Sequence, residues 1–335
     1  MSSRLPKQLQ KLQDQTLVKA LEAGLDLVEA ELEVAVASHN ALIDSAARHL
    51  LEAGGKRVRP VLVLLTAQLG DPKRPEVIDA AVIAELTHLA TLYHDDVMDD
   101  APTRRGVPTT QKVYGNSVAI LTGDLLLARA SQIGVGLGSD SLRMQAETFE
   151  RLCLGQLHET IGPQDGEDPI QHYLQVLADK TGSLIASSAA MGAIHSGARV
   201  EYHQALINYG ERVGVAFQLV DDVIDISEKG PSGKTPGTDL RAGVDTLPTL
   251  LLRKAAADGD QSAVELVALI DSDLSDDAVL AEAVSKLRNH PVAAEAQRQA
   301  ENWAKAAIDA LDPLPEGSVK RALIQFADAV VNRDN

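Results

Sequence analysis

Residues 76–100 read EVIDAAVIAELTHLATLYHDDVMDD, an apolar run that ends in four carboxylates. Its apolar residues return every three or four positions, the period of a helix, and the spacing predicts a helix over 76–99. The last turn sets Asp95 and Asp99 one turn apart on one face, with Asp96 rotated about 100° beside them. Such an end is unfavourable by itself. Like charges at i, i+4 repel, Asp is a weak helix former, and the carboxyl end of a helix already carries partial negative charge. A hard divalent cation such as Mg2+, held by carboxylates and keeping some of its waters, offsets all three.

The same period runs along nearly the whole 335-residue chain, in which aromatic residues are only 3%. The reading is all-α. Helices are predicted over 15–37, 41–52, 59–70, 111–137, 141–161, 170–196 and 200–227, with shorter ones near 245–257, 262–271, 276–288, 291–311 and 317–332. Turns at Gly70-Asp71-Pro72, Ala101-Pro102, Gly162-Pro163 and Asp168-Pro169 punctuate them. The connector from Glu228 to Gly243, rich in Gly, Pro, Ser and Thr, is read as non-helical, and a loop of that length is usually functional. No shift in composition marks a second domain, so residues 1–335 are expected to form one domain, a single bundle of about a dozen helices.

A net charge of −17 argues against nucleic acid as a partner and against a polybasic membrane face. Composition, 45% hydrophobic and 24% charged, is that of a chain able to bury a core. Cys153 is the only cysteine, which excludes an internal disulfide, and is expected to be a small buried filler. The polar start of the chain does not read as a signal peptide, and no run of 18 uninterrupted apolar residues predicts a transmembrane segment. A soluble cytoplasmic protein is the expectation.

Chance supplies about 0.2 copies of DDxxD in a chain of this composition. The pattern nevertheless returns 126 residues after Asp95, as Asp221, Asp222 and Asp225 in VDDVID, again at the end of an apolar helix. Two such clusters, if they face each other across a bundle, make a cage for several cations. Mg2+ prefers one or two carboxylates plus phosphate oxygens, so the implied ligand is a diphosphate, and the metal lets an acidic protein hold it. Basic residues suited to an anion stand in two loops. GGKRVRP at 54–60 carries Lys56 and Arg59 at a helix start, and APTRRGVP at 101–108 carries Arg104 and Arg105 beside the first cluster. Lys234, in SGKTPGT, lies in a loop flexible enough to close over phosphate. Gln218 shares a helical stripe with the second cluster, as His88 and Thr91 do with the first. Ala90 and Thr91, one turn below Asp95, leave space at about 5.4 Å per turn, close to one isoprene unit.

Together, GGKRxRP, HDDVMDDAPTRRG, Lys180-Thr181-Gly182, FQLVDDVID and GKTPGTDL resemble the trans-isoprenyl diphosphate synthase, or polyprenyl synthetase, family. The resemblance covers most of the chain. It implies the isoprenoid synthase fold, an all-α bundle around a central cavity, usually as a homodimer, and three Mg2+ between the two clusters. By motif, Asp95, Asp96, Asp99, Asp221, Asp222 and Asp225 form the metal sites, with Asp95, Asp99 and Asp221 the foremost ligands. Lys56, Arg59, His88 and Arg105 would hold isopentenyl diphosphate. Arg104, Lys180, Thr181, Gln218 and Lys234 would hold the allylic diphosphate. One position departs from the pattern: Val244 stands where many members have a Lys. Members that stop at fifteen carbons tend to carry bulky aromatics just before the first Asp, where this chain has Ala90 and Thr91, so a product of twenty carbons or more is expected.

Other readings fit less of the sequence. A farnesyl synthase would need a bulkier wall than Ala90 and Thr91. A terpene cyclase needs no second basic site, and Lys56, Arg59 and Arg105 discriminate against it. A metal-binding helical bundle of the di-iron type is suggested by the ExxH of Glu85 and His88, but no second ExxH is present. A non-catalytic regulatory subunit would not require both Asp clusters intact.

Overall fold

The computed structural model describes Leu5, Gln10, Leu12, residues 14–227 and residues 236–331. Those residues are almost entirely helical, as the apolar spacing predicts. Their one sheet is an antiparallel pair of two-residue strands, Thr103–Arg104 and Val107–Pro108. Two compact units divide the chain. The first comprises Met1–Glu150, Leu184–Gly210 and Leu311–Gln325; the second comprises Arg151–Ser183, Glu211–Ala310 and Phe326–Asn335.

Within the first unit the Pro75–Met98 helix packs against Gln15–Val36, Val58–Ala67 and Asn116–Gly136. Pro75 opens it at a position where no N–H is needed and φ is already helical. The helix is buried on almost every side from Val77 to Ala90, as befits one that is apolar all round. Leu86, Leu89 and Tyr93 lose all exposure, each worth roughly 1.5–3 kcal/mol of burial. The Tyr93 hydroxyl also donates to the Ala46 carbonyl at 2.7 Å and accepts from Leu50 N, which fastens Ala41–Glu52 to this helix. A Cβ at Gly192 would lie 2.1 Å from the Val63 carbonyl oxygen, so Gly is what permits Ser183–His195 to approach Val58–Ala67 this closely.

Within the second unit the helices after residue 245 build the core together with Pro169–Leu177 and the end of Glu201–Asp225. One cluster gathers Ile226, Leu240, Leu252, Leu266, Leu280 and Leu287; another gathers Ile170, Leu177, Leu219, Leu247 and Ala300. Leu247–Ala257 packs against both Gln261–Ile270 and Pro291–Asp309.

Four expectations are corrected. The helix predicted over 111–137 is split at Gly115, whose φ of +88° ends Thr110–Tyr114 before Asn116–Gly136 begins. The helix predicted over 170–196 widens into a π turn at Ala178–Gly182, between Pro169–Leu177 and Ser183–His195. The connector is not wholly irregular: Thr238–Ala242 is a short helix, started by Gly237 at φ +82° and ended by Gly243 at φ +68°. Cys153 is exposed, because it lies beside Leu154 and Leu157 on the outer face of Ser139–Ile161, while Leu152 and Gly155 occupy the buried face. Asn116–Gly136 is, among the described residues, one helix long and apolar enough to cross a membrane by length and composition.

Candidate active site

The first Asp cluster ends the Pro75–Met98 helix in the first unit. Asp95 is half-buried, Asp99 is exposed and caps the helix, and Asp96 has no exposure at all. Asp96 Oδ1 accepts from Arg104 Nε at 2.7 Å, while its other oxygen, Oδ2, is buried with no partner. Burial pushes the Asp96 carboxyl up against the opposing pull of Arg104. Gln111 Nε2 donates to the carbonyls of Asp96 at 2.6 Å and Ala101 at 3.2 Å, and Thr109 Oγ1 donates to Ala101 at 2.7 Å. These bonds anchor the hairpin that carries the two arginines. Its turn residues, Arg105 at φ +54° and Gly106 at φ +80°, both take the left-handed conformation that a two-residue hairpin favours.

Beside that hairpin lies a cluster of cations. Arg57, at φ +46° before Val58–Ala67, is 5% exposed and fully engaged. It donates to Glu29 at 2.7 and 3.3 Å, to Glu85 Oε1 at 3.0 Å and to the Leu51 carbonyl at 3.1 Å. Arg105 Nη1 donates to the carbonyls of Leu50, at 2.8 Å, and Gly54. A Cβ on Gly55 would lie 2.9 Å from the Arg105 guanidinium carbon and 3.0 Å from Arg57 Nη1, so the glycine makes room for two arginines to converge. Arg59 is half-buried, yet its Nε is enclosed without a partner. Burial brings the Arg59 guanidinium down to about 10, with Arg105 adding to the fall and Glu85 opposing it. Burial and the four arginines 59, 105, 104 and 57 hold the His88 imidazole well below its usual range, so it is neutral at pH 7. Lys56 is exposed at the loop's edge. Positive charge therefore exceeds negative charge, with a buried donor left over. That combination takes an anion. Ala90 is fully buried and Thr91 half-buried, its Oγ1 donating to the His88 carbonyl at 2.8 Å.

The second Asp cluster ends Glu201–Asp225 in the second unit. Asp222 is buried, accepting from the Tyr173 hydroxyl at 2.7 Å and Leu247 N at 3.3 Å; burial pushes its carboxyl up to about 7. Asp225 accepts from Thr238 Oγ1 at 2.6 Å, Thr238 N at 3.2 Å and Asp239 N at 3.1 Å, and so caps Thr238–Ala242. Asp221 and Gln218 are half-buried on the same helix. Lys180 and Thr181 sit on the π turn, where Ser183 N reaches back to the Ala178 carbonyl. The turn is held by Asp179, which accepts from Arg151 at 2.6 Å and Gln175 at 2.8 Å, with Arg151 also donating to Glu211 at 2.7 Å. Such bulges are frequent at functional sites. Lys180 Nζ donates to Glu159 at 2.5 Å. Lys234 lies outside the described residues.

The donor set at both clusters is carboxylate oxygen, which suits a hard cation. Among the described residues no three His, Cys, Asp or Glu side chains gather into a cage. Carboxylates here would complete an ion's shell only with water or substrate oxygens, as Mg2+ prefers. Asp96, Asp222 and Asp225 each already hold a neighbouring element. Sequence reasoning missed Arg57 and Glu29 and took Glu85 only as half of an ExxH; the signal was a Glu in the buried stretch of the helix, three residues before His88.

The polyprenyl synthetase family model matches residues 40–287. The chain is 42% identical over 325 residues to nonaprenyl diphosphate synthase of Mycobacterium tuberculosis, covering 96% of each protein. It resembles the crystal structure of geranylgeranyl pyrophosphate synthase from Corynebacterium glutamicum complexed with calcium and isoprenyl diphosphate. That match has a TM-score of 0.87 and 41% identity over 96% of this chain and 99% of that one. A decaprenyl diphosphate synthase from Rhodobacter capsulatus matches at a TM-score of 0.85 and 32% identity, over 95% and 98% of the two chains.

Proposed function

The chain belongs to the polyprenyl synthetase family, and from that premise we propose how its residues divide the work of a trans-prenyltransferase. The enzyme joins isopentenyl diphosphate to an allylic diphosphate, giving a product of twenty carbons or more. Asp95, Asp99 and Asp221 would hold Mg2+ directly, as three ions per site. Asp96, Asp222 and Asp225 back them by fixing Arg104, the Tyr173 and Leu247 contacts and the Thr238–Ala242 helix. When bound, the ions supply Lewis-acid stabilisation of the charge that develops on the departing diphosphate.

Lys180, Thr181, Gln218, Arg104 and Lys234 bind the allylic diphosphate. Cations and dipoles fixed in advance lower the barrier to breaking the allylic carbon–oxygen bond. To engage the substrate, Lys180 must leave Glu159, an exchange of one anion for a stronger one. Lys56, Arg59, His88 and Arg105 hold isopentenyl diphosphate, whose double bond attacks the allylic cation; a proton then leaves to the released diphosphate. His88, neutral in its burial, adds a hydrogen bond without adding charge. Gln218 and Thr181 turn dipoles toward the cation while apolar surroundings exclude water.

Arg59 carries this reading. A guanidinium with an enclosed, unpartnered Nε, close enough to Arg105 to feel its charge, is otherwise a cost with no return. The test is to incubate the purified chain with Mg2+, farnesyl diphosphate and excess labelled isopentenyl diphosphate and to separate the products by chromatography. Products of twenty carbons or more are expected, and none beyond fifteen would refute the length. Ala90→Phe or Thr91→Phe should shorten the product by one or two units; an unchanged distribution removes those positions as the ruler.

The enzyme acts as a homodimer in this proposal. Ile120, Leu121 and Val135 on Asn116–Gly136 are 42%, 65% and 68% exposed. A chain of charge −17 gives an anionic bilayer little reason to cover them, whereas a second copy buries apolar against apolar. Sedimentation equilibrium should give twice 35.6 kDa, and an active monomer would refute it.

A further inference from the structure

We propose that Glu85 is the resident counter-ion of the cation cluster: it holds the arginines together while the site is empty and competes with the diphosphate that fills it. The inference rests on assigning this cluster to isopentenyl diphosphate. Glu85 is 1% exposed on the Pro75–Met98 helix. Its Oε1 lies 3.0 Å from Arg57 Nη1 and 4.0 Å from Arg105 Nη2, so one oxygen joins the 54–57 loop and the 103–108 hairpin to that helix. Both arginines hold left-handed backbone, at φ +46° and +54°, a conformation that surrounding contacts must impose.

The two carboxylates of the cluster are not equivalent. Glu29 gives both oxygens to Arg57, at 2.7 and 3.3 Å. Glu85 is the carboxylate whose field also reaches Arg59 and Arg105. A buried cation with no counter-charge is strongly unfavourable, so the empty site needs Glu85. A diphosphate arriving at the same guanidiniums meets a like charge and is held less tightly than it would be without it. Weaker holding suits a reaction that repeats, since the elongated product's diphosphate must vacate this site before the next isopentenyl unit enters. Glu85 is thus a positioning residue, acting through Arg57 and Arg105.

The test compares the full-length wild type with Glu85→Gln, Glu85→Asp and Glu29→Gln. Isopentenyl diphosphate is titrated calorimetrically in EDTA, so that no metal bridges it to the Asp clusters. Glu85→Gln should bind about tenfold more tightly, Glu29→Gln should stay within about twofold of wild type, and Glu85→Asp, which keeps the charge, should stay near wild type even if it melts lower. In steady state with Mg2+, Glu85→Gln should lower both KM for isopentenyl diphosphate and kcat while leaving KM for the allylic substrate alone. Equal or weaker binding by Glu85→Gln, or an equal gain in Glu29→Gln, overturns the proposal. If Glu85→Gln does not fold, tighter binding by Glu85→Asp overturns it as well. If wild type itself does not bind without metal, the assignment of the cluster is wrong and this inference falls with it; binding by wild type with no gain in Glu85→Gln refutes the inference alone.

Discussion

The two DDxxD copies end long helices in the same way, yet their middle aspartates live in opposite surroundings. Asp96 is paired with a guanidinium, Arg104, and also feels Arg105, with Asp99 acting the other way. Asp222 is buried against a neutral phenol and one backbone N–H, with the like charges of Asp239 and Asp221 acting on it. A motif therefore fixes which donors are available, while neighbours decide what each donor does. In both copies the middle Asp is spent on architecture. In the second the last one, Asp225, is spent too, as a helix cap.

The largest effect should come from the residues left for catalysis. Asp95→Ala and Asp221→Ala should each lower kcat by about 10³-fold or more, the scale of losing charge stabilisation in a reaction that develops an anion. Asp96→Asn should cost far less and act mainly on KM for the allylic substrate, because it releases Arg104. If the two clusters serve one diphosphate, the Asp95, Asp221 double variant should fall little below the worse single variant, since residues acting as a unit are not additive. Steady-state kinetics on the three variants decides this, and full additivity would mean two independent sites.

The next effect separates the regions by pH. Burial disfavours the charged form of Asp222 and pushes its carboxyl up to about 7 in the folded chain, from an ordinary value of 3.8. The folded state then binds the proton more tightly than the unfolded state, so stability falls as pH rises from about 4 to about 7, by something on the order of a few kcal/mol. Asp222→Asn keeps the shape of the neutral acid. In EDTA it should melt higher than wild type at pH 8, and the gap should close toward pH 4.5. A variant that melts lower at both pH values would show that the charged form is the one this pocket favours.

Much of this was legible in the sequence. Most long helices, such as Gln15–Val36, Ala41–Glu52, Pro75–Met98 and Glu201–Asp225, follow from apolar spacing, and the Asp168-Pro169 turn marks a true start, since the Asp168 side chain accepts from the first N–H groups of Pro169–Leu177. The Asp clusters, Arg59, His88 and Arg105 were visible because charge on an apolar helix or in a Gly-rich loop is unusual. What spacing could not reveal depends on distant partners. The π turn at Ala178–Gly182 needs Arg151 from one helix and Glu211 from another. Thr238–Ala242 exists because the Asp225 carboxylate meets its first N–H groups. Arg57 looked like one more loop cation, and only the fold brings Glu29 and Glu85 to it.

The smallest effect tests the first region by the opposite pH response. His88 is held neutral by burial and by Arg59, Arg105, Arg104 and Arg57 around it, so its folded pKa lies well below the ordinary 6.5. Below pH 6.5 the unfolded chain takes up a proton that the folded chain refuses, and stability falls as pH falls. Asp222 has the reverse sign, losing stability as pH rises. His88→Gln cannot charge and should flatten the decline in melting temperature between pH 6.5 and 5. The change should be partial, because burial also lowers His195, which keeps its own share of the decline. Melting curves of His88→Gln, Asp222→Asn and the double variant would separate the two. If His88→Gln leaves the acid limb unchanged, the arginines around His88 do not hold it neutral, and the first region owes its acid response to His195 alone.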